Sequence, residues 1–161
     1  MLIAKEILKG KNMKKTIVLF SLLLALPCLL YAQTAARIEL LLETGAVNYG
    51  QAAHFALEAA GVLSGASEAE AFAYAAERGW LPKGAAAQEQ ARLDGFALLA
   101  MEAFGIRGGI MFSLFKTPHY AYRELVYQDI IQGRAAPNMA VSGEELLFLI
   151  NRVLAVHGDQ P

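Results

Sequence analysis

The sequence predicts an all-α fold: a compact bundle of helix-loop-helix repeats behind an N-terminal leader. Three observations predict it. Alanine and leucine dominate while β-branched residues are few, which favours helices packed through small side chains. Helix caps and glycines punctuate the chain between apolar stripes. A shift of 50 residues also lays the third quarter of the chain on the last, the mark of an internal repeat.

The first element is the leader. Lys9, Lys11, Lys14 and Lys15 precede an apolar run from Thr16 to Ala32, and Leu30-Tyr31-Ala32 offers a small residue for cleavage. Residues 1–32 are therefore expected to form a signal peptide, starting at Met1 or at Met13, since Met13-Lys14-Lys15 opens a complete leader alone. A retained anchor is the rival. The run contains Pro27 and is shorter than the roughly 20 residues of a bilayer span. A lipoprotein signal would use Cys28, yet Pro27 stands where a small residue is wanted. Cleavage after Ala32 removes the only cysteine, and with it disulfides, thiol catalysis and thiolate metal sites.

Residues 33–161 make one domain's length of chain. Of 14 basic and 15 acidic residues, five lysines and Glu6 lie in the leader, so the remainder carries a formal charge of about −5. It has no basic run, which argues against nucleic acid as a partner.

The repeats occupy approximately residues 37–62, 67–105 and 117–157. The first copy is truncated, with a short first helix over Arg37 to Thr44 and a second opened by Val47-Asn48-Tyr49-Gly50-Gln51. The second copy begins at a capping box, Ser67 with Glu70. Its second helix starts less cleanly, with Arg92 at the cap and Asp94 serving nearby. Thr117-Pro118 opens the third copy, and Ser142 with Glu145 caps its last helix. Gly61, Gly79, Gly105 and Gly133 are expected at left-handed C-caps. Between the two full copies at offset 50, Ala71 aligns with Ala121, Ala75 with Leu125, Leu81 with Ile131 and Leu99 with Leu149. Two helices alone cannot bury their stripes, so the copies must pack on one another. Ile106 to Lys116 falls outside the pattern; it is expected as a linker packed on the core, with an exposed lid as the alternative.

The last copy carries a resemblance. Ala121-Tyr122-Arg123-Glu124-Leu125-Val126 runs on to Ile130-Ile131-Gln132-Gly133-Arg134, and Val141-Ser142-Gly143-Glu144-Glu145-Leu146-Leu147 follows the loop. This resembles the S-layer homology (SLH) module, and the likeness extends over roughly Val47 to Leu154. It implies a pseudo-threefold helical bundle, exported to the periplasm or cell envelope, that binds cell-wall polysaccharide or peptidoglycan. Such modules hold an anionic sugar with a signature arginine, but Tyr49, Leu93 and Gly143 stand at those three positions here, so the bidentate clamp is missing. The alternative is an interaction module for an envelope protein, with glycan binding lost.

No catalytic motif stands out. His54, His119 and His157 lack metal-ligand spacing, and His54 is expected to be structural. Glu144-Glu145 suits a helix start. An enzyme built on Glu77, Glu124 or Asp129 is the least favoured class, and no cofactor or metal is expected. The candidate ligand-binding residues are Arg134, Arg123, Tyr122, Trp80 and Tyr49, with Tyr120 and Tyr127 beside them. Their rings could stack on sugars and their guanidinium groups could bind carboxylates. For Trp80 and Tyr127 the competing expectation is core packing. Contact with a membrane is expected only through the leader, if it is retained.

Overall fold

Side-chain caps and glycines set the helix boundaries in the computed structural model, which describes residues 36–133 and 135–157. The chain divides into two units, Met1–Leu40 and Leu41–Pro161. Of the first, residues 36–40 are described and are helical. The expected signal peptide lies outside the described residues.

The helices are α1 (residues 36–42), α2 (Tyr49–Ala59), α3 (Glu68–Glu77), α4 (Leu93–Ala103), α5 (Ile110–Phe115), α6 (Pro118–Tyr127) and α7 (Gly143–His157). The class is all-α, as predicted. Among the described residues the only extended pairings are isolated bridges, Asn48 with Gln90 and Arg92 with Ala140.

Each helix start satisfies its orphan N–H groups in its own way. Asn48 Oδ1 accepts from Gln51 N–H at 2.8 Å while Gln51 Oε1 accepts from Asn48 N–H at 3.1 Å, a full capping box at α2. Ser67 and Glu70 form the same box at α3. At α7, Ser142 Oγ accepts from Glu145 N–H at 3.1 Å. Thr117 makes no side-chain cap, and Pro118 simply lacks one of the N–H groups that would need a partner. Arg92 makes none either. Instead Leu93 and Asp94 donate to the carbonyls of Met139 and Pro137, at 2.9 and 2.8 Å.

Gly61, Gly79 and Gly105 end α2, α3 and α4 in the left-handed region, as expected. Gly133 is left-handed as well, with φ 81°, but it does not end α6. Ile130 and Ile131 both donate to the Leu125 carbonyl, at 2.9 and 3.1 Å, which closes the helix four residues earlier. Asp129 therefore takes the left-handed position with φ 58°, a conformation that aspartate tolerates better than most residues.

The helix starts meet in a closed circuit. Val47 N–H donates to Val141 at 2.8 Å, Val141 to Ala91 at 2.9 Å, and Ala91 back to Val47 at 2.8 Å. All three residues are fully buried. Two residues further on the relation recurs: Tyr49 N–H bonds Glu89, Leu93 bonds Met139, and Gly143 bonds Thr44, at 2.9–3.0 Å. Each of these helices thus begins against a loop that leads into another. A Cβ on Gly143 would fall onto the Leu41 carbonyl, so only glycine fits there.

Around this circuit α2 packs on α3 and α4 packs on α6, while α2 also touches α4 and α7. Phe96, Leu57, Leu99, Met101, Leu125, Leu146 and Val153 fill the space between. Each such side chain contributes about 1.5–3 kcal/mol by leaving water.

The segment Ile106 to Lys116 departs from the core-linker expectation. Ile106 and Phe112 are buried, but Ile110, Met111, Leu114 and Phe115 are 77, 56, 69 and 57 % exposed. A six-residue helix can press only one face downward, and Phe112 occupies it.

Candidate functional site

Two openings are candidates for a site: a polar pocket at the α4 start and an apolar groove between α5 and α6. The polar pocket, about 250 Å³, is walled by Tyr49, the loop Pro82–Ala85, Glu89, Arg92, Asp94 and Pro118. It forms because the loop after α3 folds back over the start of α2, giving its Ala87 and Glu89 carbonyls to Gly50 and Tyr49. Arg92 Nη2 sits 2.7 Å from Asp94 Oδ2, and Asp94 Oδ1 accepts from Gly95 N–H at 2.8 Å. Half of the Arg92 side chain stays exposed while Asp94 is largely covered. Glu89 Oε2 accepts from Ala86 N–H at 3.2 Å, which fixes the turn that carries it. Lys83 is exposed. The pocket therefore offers two cationic donors and two carboxylate acceptors, a set matched to a neutral, hydroxyl-rich ring or a zwitterionic group. Its volume lies below the roughly 300 Å³ at which drug-sized pockets begin, so it fits one ring or a short side group.

Tyr49 enters this pocket only as a wall. It is 2 % exposed, and its hydroxyl accepts from Arg92 N–H at 3.4 Å. Burial raises its phenol pKa above the ordinary value, so it stays neutral. Of the candidate ligand-binding residues it is thus the one that lines this pocket, with its ring face covered. Gly95 makes the burial possible: a Cβ there would collide with the Tyr49 hydroxyl and lie 2.8 Å from its ring. Leu93 is likewise buried, and Gly143 has no room for a side chain. The three positions at which the resemblance implies an arginine are thus closed.

The other candidates are dispersed. Trp80 is half-buried against the core and meets Tyr74 edge-on at 5.7 Å, with the Arg78 guanidinium 3.5 Å above the Tyr74 ring. Tyr122 is half-buried and donates its hydroxyl to the Ala135 carbonyl at 2.6 Å, which ties the last loop to α6. Arg134 lies outside the described residues. Arg123 is exposed on α6 and lines the second opening, about 460 Å³, with Tyr120, Tyr127, Glu124, Ile110 and Met111. Tyr127 is 84 % exposed, which corrects the core reading for it. Sequence reasoning missed Lys83, Glu89 and the pocket role of Arg92 and Asp94. The available signal was their place at the junction between one loop and the next helix start.

His54 is buried, with Nε2 3.3 Å from Glu58 and its ring edge-on to Phe55, in keeping with a structural role. His157 Nε2 lies 2.9 Å from Gln128 Oε1 and so is held at the end of α7. Glu124 accepts from Gly109 N–H at 2.9 Å and from Gln128 Nε2 at 3.0 Å, leaving it tied to structure. Among the described residues no three His, Asp or Glu side chains are grouped to hold a metal. Comparison with family models, with curated proteins and with solved structures gives no match.

Proposed function

We propose that the chain is an exported, noncatalytic cell-envelope protein built on an SLH-like module, and that it binds wall glycan or peptidoglycan at the polar pocket. The backbone circuit of Val47, Ala91 and Val141 supports this most directly. These residues stand at equivalent places in the three copies, and each helix start leans on the loop of another, as a pseudo-threefold module requires. The pocket at one such junction holds Lys83, Arg92, Glu89 and Asp94 in place of the missing signature arginines. Donors and acceptors so arranged suit sugar hydroxyls and the carboxylates of wall peptides.

Retention of the chain on purified peptidoglycan tests the proposal. Wild type is expected in the bound fraction, and Lys83→Ala with Arg92→Ala is expected to release it. Arg134→Ala tests the contribution of the last loop. Failure of wild type to bind removes the glycan reading and leaves a module for an envelope protein. Intact mass of the chain recovered from exporting cells reads the leader: a mass starting at Gln33 is expected, and an uncleaved mass overturns cleavage.

A further inference from the structure

We propose that the α5–α6 face docks the protein on an anionic lipid surface, a contact separate from the leader and from the polar pocket. Ile110 and Leu114 stand one turn apart on α5, as do Met111 and Phe115, and all four are mostly exposed. Phe115 stacks on Tyr120 at 5.7 Å, and Tyr127 beside the groove is the most exposed of the large apolar or aromatic side chains among the described residues. Together they form an apolar patch with an aromatic border, of the kind that enters the headgroup region of a bilayer.

The charge pattern selects the occupant. From Ala103 to Arg123 there is no Asp or Glu, while Arg107, Lys116 and Arg123 all fall in this stretch. This stands out in a domain whose formal charge is about −5. Lys116 is 2.9 Å from Glu102 and pairs with it; Glu124 keeps its negative charge in the groove lining but directs its two oxygens to Gly109 N–H and Gln128 Nε2. Arg107 and Arg123 are exposed and have no ion pair among the described residues. Arg123 lines the groove beside the apolar tip, where a lipid phosphate would meet it. A second copy fits less well, because a two-fold contact through this face brings the same cations together. The six residues of α5 are also about 9 Å long, a small footprint for a protein interface but enough to enter the headgroup layer.

Vesicle flotation with the full chain, its N-terminus fixed by intact mass, tests the proposal. Wild type is expected to float with phosphatidylglycerol-containing vesicles and to stay behind with phosphatidylcholine alone. Ile110→Ser with Leu114→Ser is expected to lower partitioning by about tenfold or more, and Arg123→Ala by about fivefold. The double variant is expected to keep the wild-type circular dichroism and peptidoglycan retention, which separates this surface from the pocket. If the double variant misfolds, Arg123→Ala and the salt dependence still decide the matter. Wild type that ignores anionic vesicles overturns the proposal, as does equal flotation of the variants. A wild-type dimer abolished by the double variant, without flotation, assigns the face to self-association instead.

Discussion

Two apolar regions of this chain are treated in opposite ways. Where the helix starts converge, Val47, Ala91 and Val141 are sealed from water and their backbone groups are paired with one another. On α5, side chains of similar hydrophobicity stand in solvent, and only Phe112 reaches the core. Hydrophobicity alone does not separate the two. What separates them is backbone: the first region is tied by bonds from three loops, and the second is tied near its start by Gly109 N–H to Glu124 and by the Arg107 carbonyl to Gln128 Nε2. Stability is therefore concentrated at the helix starts, and the α5 tip is free to be changed.

Substitutions can break that contrast, and the largest effect is expected at Gly143. Gly143→Ala sets a Cβ against the Leu41 carbonyl, so a loss of about 3 kcal/mol is expected in chemical denaturation. Alanine's better helix propensity, about 1 kcal/mol, acts the other way and is too small to cancel it. Wild-type stability in this variant would show that the α7 start is not held as described. Gly95→Ala is expected to cost about 2 kcal/mol by crowding Tyr49. Tyr49→Phe removes the colliding hydroxyl, so the double variant should recover about 1 kcal/mol; simple additivity would refute the contact.

Smaller effects sharpen the same comparison. Asn48→Ala removes the α2 cap and is expected to cost about 1 kcal/mol. At the α3 start, the Ser67 backbone N–H and then its hydroxyl hold Glu70 below its ordinary pKa. A depressed carboxylate stabilises the fold above its unfolded value of 4.5 and loses that effect as the pH falls through its folded value. Glu70→Gln is thus expected to flatten the acid side of the stability–pH curve slightly, and an unchanged curve would contradict it. Least of all, Ile110→Ser with Leu114→Ser should shift stability by no more than about 0.5 kcal/mol. A larger loss would mean that α5 belongs to the core.

The all-α class and most helix starts were legible because caps are local chemistry. Ser67 with Glu70 and Ser142 with Glu145 lie three residues apart and need no tertiary information. Gly133 misled for the opposite reason: any glycine after a helix satisfies the local pattern, while Ile130 and Ile131 decided where α6 ends. The site was harder. Tyr49 looked available to a ligand because the gap that buries it is supplied by Gly95 on another helix. Lys83 and Arg92 drew no attention because a loop lysine and a failed cap are unremarkable until a fold brings them together. The run Ile110 to Phe115 reads like core by composition, and only its short length between Gly109 and Lys116 hints that it cannot all be buried.

The circuit through Val47, Ala91 and Val141 also governs how the domain comes apart. A linear array of repeats has outermost members with one neighbour each, and these can melt first while the middle persists. Here the residue before the α2 cap bonds directly to the residue before the α7 cap, so among these three described helix starts none is outermost. Each of the three residues donates one of these bonds and accepts another, so displacing any one of them breaks two of the three. Residues 41–157 should unfold in a single step by every spectroscopic probe, and their assembly must wait for the contact that joins Val47 to Val141.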